Sequence, residues 1–405
     1  MSTPKTESWG FIALMALLMS FVALAIDAML PALGQIAIDL NVQDRNDVQQ
    51  VISSIFLGMS FGLIFFGPFS DSYGRKPAIY LGMSIFIIGC LISIFSQTFE
   101  VMILGRILQG LGGASCRVIT ISMIRDKFEG AEMGKVMSLI MIFFIMVPAL
   151  APSIGQLILL VATWRAIFYL MLLLGVISMI WLALRQEETL VKEKRLKFSF
   201  GTIWNGVKET VMNKVSRSYT LAAAFVFGAF ISYLSSSQQI FQTQYGVGKL
   251  FSVYFGVLAL SIGSASFANS RWLEKYSMEI LCLKALKFMV AFGLAFFPIA
   301  LYFDGNPPLP LLMIYLMGTF FTLGILFGNF NTLAIQPLGH IAGVANSVIS
   351  SIQTFISVLI GGTISHFYDG SILPIVASFL GLGLISLLIV RRIINAHLLE
   401  TARNS

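Results

Sequence analysis

The chain has 405 residues, 57% of them hydrophobic and only 11% charged, with 26 Lys and Arg against 19 Asp and Glu for a formal net charge of +7. Soluble domains carry about 25% charged residues, so this composition excludes a soluble globular protein and indicates an integral membrane one. A spanning helix needs about 20 apolar residues plus a connection, which leaves room for roughly twelve spans and for no sizeable soluble domain.

Apolar runs predict all-α structure, with spans near 9–31, 48–69, 78–97, 100–123, 134–160, 164–184, 218–241, 250–270, 281–302, 309–333, 342–366 and 371–391. The first run follows Lys5 and contains Ala23-Leu24-Ala25, which mimics a signal-peptidase site. Its length and the many runs after it make it an uncleaved helix. Arg75, Lys76, Arg125, Lys127, Lys135, the basic stretch from Arg185 to Arg217, Arg271, Lys275, Lys284, Lys287, Arg391, Arg392 and Arg403 all fall on one side of the predicted membrane. Arg45, Arg165 and Lys249 fall on the other, among acids such as Asp39, Asp44, Asp47 and Asp304. That asymmetry predicts cytoplasmic termini and explains the net positive charge without nucleic acid. Cys90, Cys116 and Cys282 lie unpaired in apolar runs and read as packing residues, with neither a disulfide nor a metal site implied.

In chain order, Asp27 is the one carboxylate well inside an apolar span. A partly desolvated Asp near an Arg can be poised to take and release a proton; the alternatives are a fixed ion pair or a carboxylate at a wet helix end. After the second span, Gly67 to Pro77 reads GPFSDSYGRKP. There Gly74 allows a tight turn, Asp71 can accept bonds from a helix N-terminus or a basic group, and Arg75 can meet a carboxylate such as Asp126. The fourth span carries Arg106 and Arg117. An arginine at mid-membrane costs about 2.5–3.5 kcal/mol even on the lenient scale. Eleven residues is about three helical turns, so both project from nearly one face. They are expected to face a shared polar cavity, unless each pairs with a neighbouring helix or snorkels to an interface. The fifth span holds Pro148, Pro152 and Gly155, which suit a kink and close helix approach.

The hydrophilic stretch 185–217 divides the chain into an N-terminal six-helix bundle (1–184) and a C-terminal one (218–405). Two similar halves suggest a transporter with its substrate site near the midplane between them, the linker lying on anionic lipid at the inner surface. In the second half Asn346, Ser350, Gln353 and Ser357 share one face of the eleventh span. Tyr233 and Gln238 lie late in the seventh, and Asn329 toward the inner end of the tenth. Cavity lining and interhelical hydrogen bonding are equal alternatives for these polar groups. Gly58-x-x-x-Gly62 and Gly324-x-x-x-Gly328 predict close helix packing.

Gly67 to Pro77 resembles the loop between helices 2 and 3 of the major facilitator superfamily, G-x-x-x-D-x-x-G-R-[KR]. Leu104 to Gly110 (LGRILQG) is similar to its fourth-helix motif, and Val147 to Gln156 (VPALAPSIGQ) to the fifth-helix motif of its antiporter branch. Asp27 in Ile26 to Leu33 and the sixth-span opening Trp164 to Phe168 resemble the bicyclomycin-resistance (Bcr/CflA) group of drug:proton antiporters. The resemblance implies the twelve-helix fold, proton coupling through Asp27 and Arg106, and a conformational latch of Gly67, Asp71, Gly74, Arg75, Lys76 and Asp126. Arg117 departs from the group, where a small or apolar residue is expected, as does Gln156, where glycine is common.

Together these readings predict a proton-coupled exporter of small amphiphilic or anionic molecules, working by alternating access as a monomer in a bacterial inner membrane. Asp27, Arg106, Arg117, Tyr233, Gln238, Asn329, Asn346, Ser350 and Gln353 are the candidate substrate contacts. Two arginines and one acid make the expected cavity net positive, which favours neutral-polar or carboxylate-bearing cargo over lipophilic cations. Export of a self-made carboxylate siderophore is the close alternative, with an importer or a non-transporting receptor behind it. The chain has no Ser/His/Asp order, metal-ligand cluster or phosphate-cradling loop, so neither an enzyme nor a cofactor is expected.

Overall fold

The computed structural model describes residues 6–44 and 46–404; Lys5, which precedes the first apolar run, and Arg45, which enters the charge pattern, lie outside them. Helices make up the regular structure throughout, with no strand among the described residues. Eleven stretches are long and apolar enough to cross a membrane, and one of these, Leu309–His366, contains two long helices. The chain forms two compact units, residues 1–203 and 204–405, the boundary falling within the hydrophilic stretch.

The first unit contains α1 (Thr6–Asp27), the short α2 (Leu33–Asp39), α3 (Gln50–Tyr73), α4 (Arg75–Ile94), α5 (Phe99–Lys127), α6 (Gly130–Leu159) and α7 (Arg165–Arg185). The first span runs on past the apolar stretch that predicts it. After Asp27 the helix tightens into a 3-10 turn, Leu30–Ala32, at Pro31 and resumes as α2. At α2's far end Asp39 accepts from Trp164 Nε1 (2.8 Å), and Arg165 caps α4 through Ile94 O (3.1 Å) and Ser96 O (2.9 Å).

α5 is the centre of this unit because its glycines admit a helix on each side. A Cβ on Gly110 would collide with the Ile55 carbonyl of α3, and one on Gly58 with the Ile107 carbonyl of α5. Across α5, Gly82 and Gly112 are crossed in the same way against α4, as are Gly89 and Gly105. In a membrane, where apolar side chains gain nothing over lipid, such backbone-to-backbone approach is what packs helices. Gly58 and Gly62 both meet α5, as their spacing predicts.

The second unit contains most of α8 (Phe200–Met212), then α9 (Lys214–Gln238), α10 (Phe251–Trp272), α11 (Met278–Tyr302), α12 (Leu309–Ile335), α13 (Ala342–His366) and α14 (Leu373–Asn404). α9 ends in a π-helical turn, Gln239–Gln244. Ser357 on α13 donates to Ala224 O of α9 (2.8 Å), and Ser386 on α14 donates to Ala222 O (3.0 Å). Gly324 packs against the Ile262 carbonyl of α10, whereas Gly328 meets open space. The second glycine pair therefore supplies one close contact, not the two expected, because among the described residues no helix approaches Gly328.

α8 lies with Gly206 against Val344 and Val348 of α13, which leaves Phe200 and Trp204 exposed.

Candidate functional site

The first unit places Asp27 at the point where α1 breaks. The break has a specific backbone consequence: Met29 N–H donates to Ile26 O (3.3 Å), so Ala25 O is left without its helical donor. Arg106 from α5 takes over that acceptor with both Nη1 and Nη2 (3.1 Å each). Its Nε donates to Val51 O of α3 (2.9 Å) and Nη1 to Gln109 Oε1 (2.8 Å), so four of five guanidinium N–H groups are engaged. Gln109 is oriented in turn by donating to Ser93 Oγ of α4 (3.1 Å). The Phe168 ring of α7 covers the guanidinium at 5.8 Å.

Arg106 is 0% exposed, and its partners are neutral carbonyls, with no carboxylate among the described residues. The structure thus places the Arg106 guanidinium within the helix packing. The two residues do leave α5 on nearly one face, but the freed carbonyl of α1 captures Arg106 within the helix packing.

Asp27 itself is 5% exposed. It has no hydrogen bond or ion pair among the described residues, so it is neither locked to an arginine nor in open water. Gly155 of α6 packs where a Cβ would strike the Ala28 carbonyl, one residue beyond Asp27. Pro148 and Pro152 lie in the two turns of α6 before that contact. The fifth-helix residues thus bear on the acid's own backbone.

Arg117 is half-buried and likewise has no hydrogen bond or ion pair among the described residues. α1 and α5 run antiparallel: Arg106 reaches Ala25, while a Cβ on Gly113 would meet Val22. Arg117, one turn beyond Gly113, lies beside residue 18 or so, about 13 Å along the axis from Asp27 at 1.5 Å per residue. One unpaired acid and one unpaired base therefore sit at two depths of the same helix pair.

At the other end of α3 and α4, Gly74 (φ +110°) makes the turn between them. Arg75 is buried and holds Asp71 and Ser70 Oγ through Nη1, and Asp126 of α5 through Nε (2.8 Å). The Ser70 hydroxyl donates to Gly67 O (2.9 Å). Sequence reasoning missed the other partner of this loop. The Glu188 carboxylate accepts from Arg75 N (2.9 Å) and Lys76 N (3.0 Å), the orphan amides of α4's first turn. Lys76 Nζ donates to Gln186 O, and Leu196 N to Asp71 O (3.0 Å). The start of the hydrophilic stretch is thus folded onto the loop. Within RQEETL, nothing local separates Glu188 from Glu187. Glu188→Gln is expected to lower stability by about 1 kcal/mol, the worth of a helix N-cap. Thermal unfolding of the purified protein reads this, with exposed Lys194→Gln as the unaffected control.

In the second unit the predicted polar residues do not converge on one point. Tyr233 is buried, its ring edge-on to Phe320 (4.8 Å), and Gln238 donates to Gln242 Oε1 (2.9 Å). Asn329 exchanges reciprocal amide bonds with Asn269 (2.9 and 3.1 Å), an interhelical α10–α12 pair. Asn346 accepts from Asn331 (3.2 Å). Asn346, Ser350 and Gln353 are half-buried on α13, while Ser357 is locked against α9.

The family model of the Major Facilitator Superfamily matches residues 11–362. An uncharacterized MFS-type transporter, YdgK, of Bacillus subtilis is 30% identical over 83% of this chain and 84% of its own length. The bicyclomycin resistance protein homolog of Haemophilus influenzae is 28% identical over 99% and 98%. The multidrug resistance protein MdtL of Klebsiella pneumoniae is 27% identical over 81% of each. Among solved structures, the partially occluded inward-open xylose transporter XylE of E. coli aligns with a TM-score of 0.72 at 12% identity, covering 95% of this chain and 98% of XylE. The human organic anion transporter MFSD10 aligns at 0.69 and 14%, covering 96% and 100%. At such identities these two show the fold alone. The chain is a multi-pass membrane protein that belongs to the Major Facilitator Superfamily and resembles its bicyclomycin-resistance (Bcr/CflA) group.

Proposed function

We propose that the protein is a proton-coupled secondary active exporter of small amphiphilic or anionic molecules, moving them by alternating access across a bacterial inner membrane. The observation that carries this reading is Asp27, a buried carboxyl with no partner among the described residues, placed at a break that Arg106 holds open. An intramembrane ionisable group is a functional site by default, and one free of partners can change its proton occupancy without breaking a salt bridge. The fifth-helix contact at Ala28 and relatives named for drug resistance support export.

The apolar stretch Leu309–His366 is read as two crossings, because helices of 27 and 25 residues flank the 3-10 segment Gln336–Ile341. That makes twelve spans, in bundles 1–184 and 218–405 joined by a linker at 185–217, and the charge asymmetry supports cytoplasmic termini. The Arg75 cluster serves as a latch that opens on the way inward. It joins Gly67, Asp71, Gly74, Lys76 and Asp126, and we add Glu188 to it.

Arg117 supports cargo that bears a carboxylate or a strong acceptor, since its guanidinium has no partner among the described residues. The test is uptake into proteoliposomes under an imposed pH gradient, with anionic, neutral and cationic amphiphiles compared. Gradient-driven movement of anions and neutral-polar compounds above lipophilic cations is expected. Arg117→Ala should raise the apparent KM for anions about tenfold, the worth of one charge-assisted hydrogen bond, and leave neutral cargo unchanged. Equal loss for both classes would remove the anion reading, and no gradient-driven movement of any class would remove the transporter reading.

A further inference from the structure

In the second unit, α10, α11 and α12 enclose a half-open cavity of about 530 Å³ that takes no part in the scheme above. Its walls are Trp272 at the end of α10, Tyr276 in the turn, Ala285 and Phe288 on α11, and Phe321 on α12. Trp272 and Phe321 meet edge to face at 6.1 Å. Among the lining residues the one charge is Lys284, whose ammonium stands 3.7 Å from the Tyr276 ring, and no carboxylate lines the cavity. The acids of the same turn, Glu274 and Glu279, are outside the lining.

The cavity is within the roughly 300–1,000 Å³ range of small-ligand sites. Its chemistry is divided: aromatic and aliphatic walls, then a single cation on a flexible stem at one end. Trp272 and Tyr276 are the residue types that settle at a headgroup boundary, and Lys284 lies six residues into α11, a depth from which a lysine reaches a phosphate. Phe288 and Lys284 are exposed lining residues. An apolar slot with exposed aromatic walls and one cation at its end is complementary to a long chain carrying an anionic head.

We propose that this cavity holds one acyl chain of an anionic phospholipid, with the lipid phosphate on Lys284. The inference rests on the membrane placement of the proposed function but not on its cargo or coupling. Lipid occupancy is read without transport, so the two can fail separately.

The experiment is native mass spectrometry of the full chain released from mild detergent. The protein is titrated with phosphatidylglycerol, with phosphatidylcholine of the same chains, and with inorganic phosphate as competitor. One retained phosphatidylglycerol in preference to phosphatidylcholine is expected, undisplaced by phosphate. Lys284→Gln should lower the phosphatidylglycerol preference about fivefold, the effect of one lysine at an anionic surface, while Lys249→Gln, far from the cavity in sequence and outside its lining, leaves it. Ala285→Phe, which fills the slot, should reduce retention of both lipids. Unchanged preference in Lys284→Gln, unchanged retention in Ala285→Phe, or full displacement by phosphate would each overturn the assignment.

Discussion

The Asp27→Asn protein is expected to lose all concentrative, pH-gradient-driven transport and to keep its fold. Asparagine preserves the size and shape of the carboxyl but cannot exchange a proton. Because Asp27 has no hydrogen bond or ion pair among the described residues, the substitution breaks no contact, and stability should change by less than about 0.5 kcal/mol. Cargo exchange at equal pH on both sides should persist, since that needs binding and the conformational cycle but no net proton movement. The measurement is a pair of assays on the same proteoliposomes, gradient-driven uptake and cargo counterflow. Asp27→Asn is expected to match empty liposomes in the first and wild type in the second. Full gradient-driven transport would mean that another group carries the proton, and loss of counterflow would mean that Asp27 contacts cargo first.

The spans were legible because a membrane helix must be long and apolar, and runs of residues report that directly. α1 was legible only to its break. The continuation through Pro31 to Asp39 depends on backbone bonds that no composition encodes. The Arg75–Asp126 pair was readable because two opposite charges at the ends of apolar spans have few other partners. Arg106 and Arg117 show the limit of periodicity: it places both on one face of α5 but says nothing of what each meets there. One finds a carbonyl that lost its donor, and the other finds no partner among the described residues. The polar face of α13 divides the same way, with Ser357 consumed by α9 and Gln353 half-buried. Glu188 sits among like neighbours, and only tertiary folding selects it.

Arg106→Met is expected to stop gradient-driven transport as completely as Asp27→Asn, but by a different route that a second readout exposes. Methionine fills much of the same volume and removes the donors. Ala25 O, whose helical donor is diverted to Ile26, would then be a buried acceptor without a partner, at a cost of about 1–3 kcal/mol. Gln109 Oε1 would lose its donor as well. Relief of the desolvated guanidinium offsets part of this. It offsets little, because the charge is already met by four hydrogen bonds. The turn that carries Asp27 would lose its anchor to α5, while Pro31 still bars a continuous helix. Arg106→Met should therefore lower the thermal unfolding temperature, whereas Asp27→Asn should not. Arg106→Lys should recover part of the stability but little transport, since an ammonium on a shorter stem cannot hold Val51 O, Ala25 O and Gln109 Oε1 at once. The double variant should be no less stable than Arg106→Met alone, because Asp27 contributes no bond of its own. Transport lost with wild-type unfolding behaviour in Arg106→Met would instead mean that the guanidinium takes part in proton or cargo transfer directly, and that its enclosure opens during the cycle.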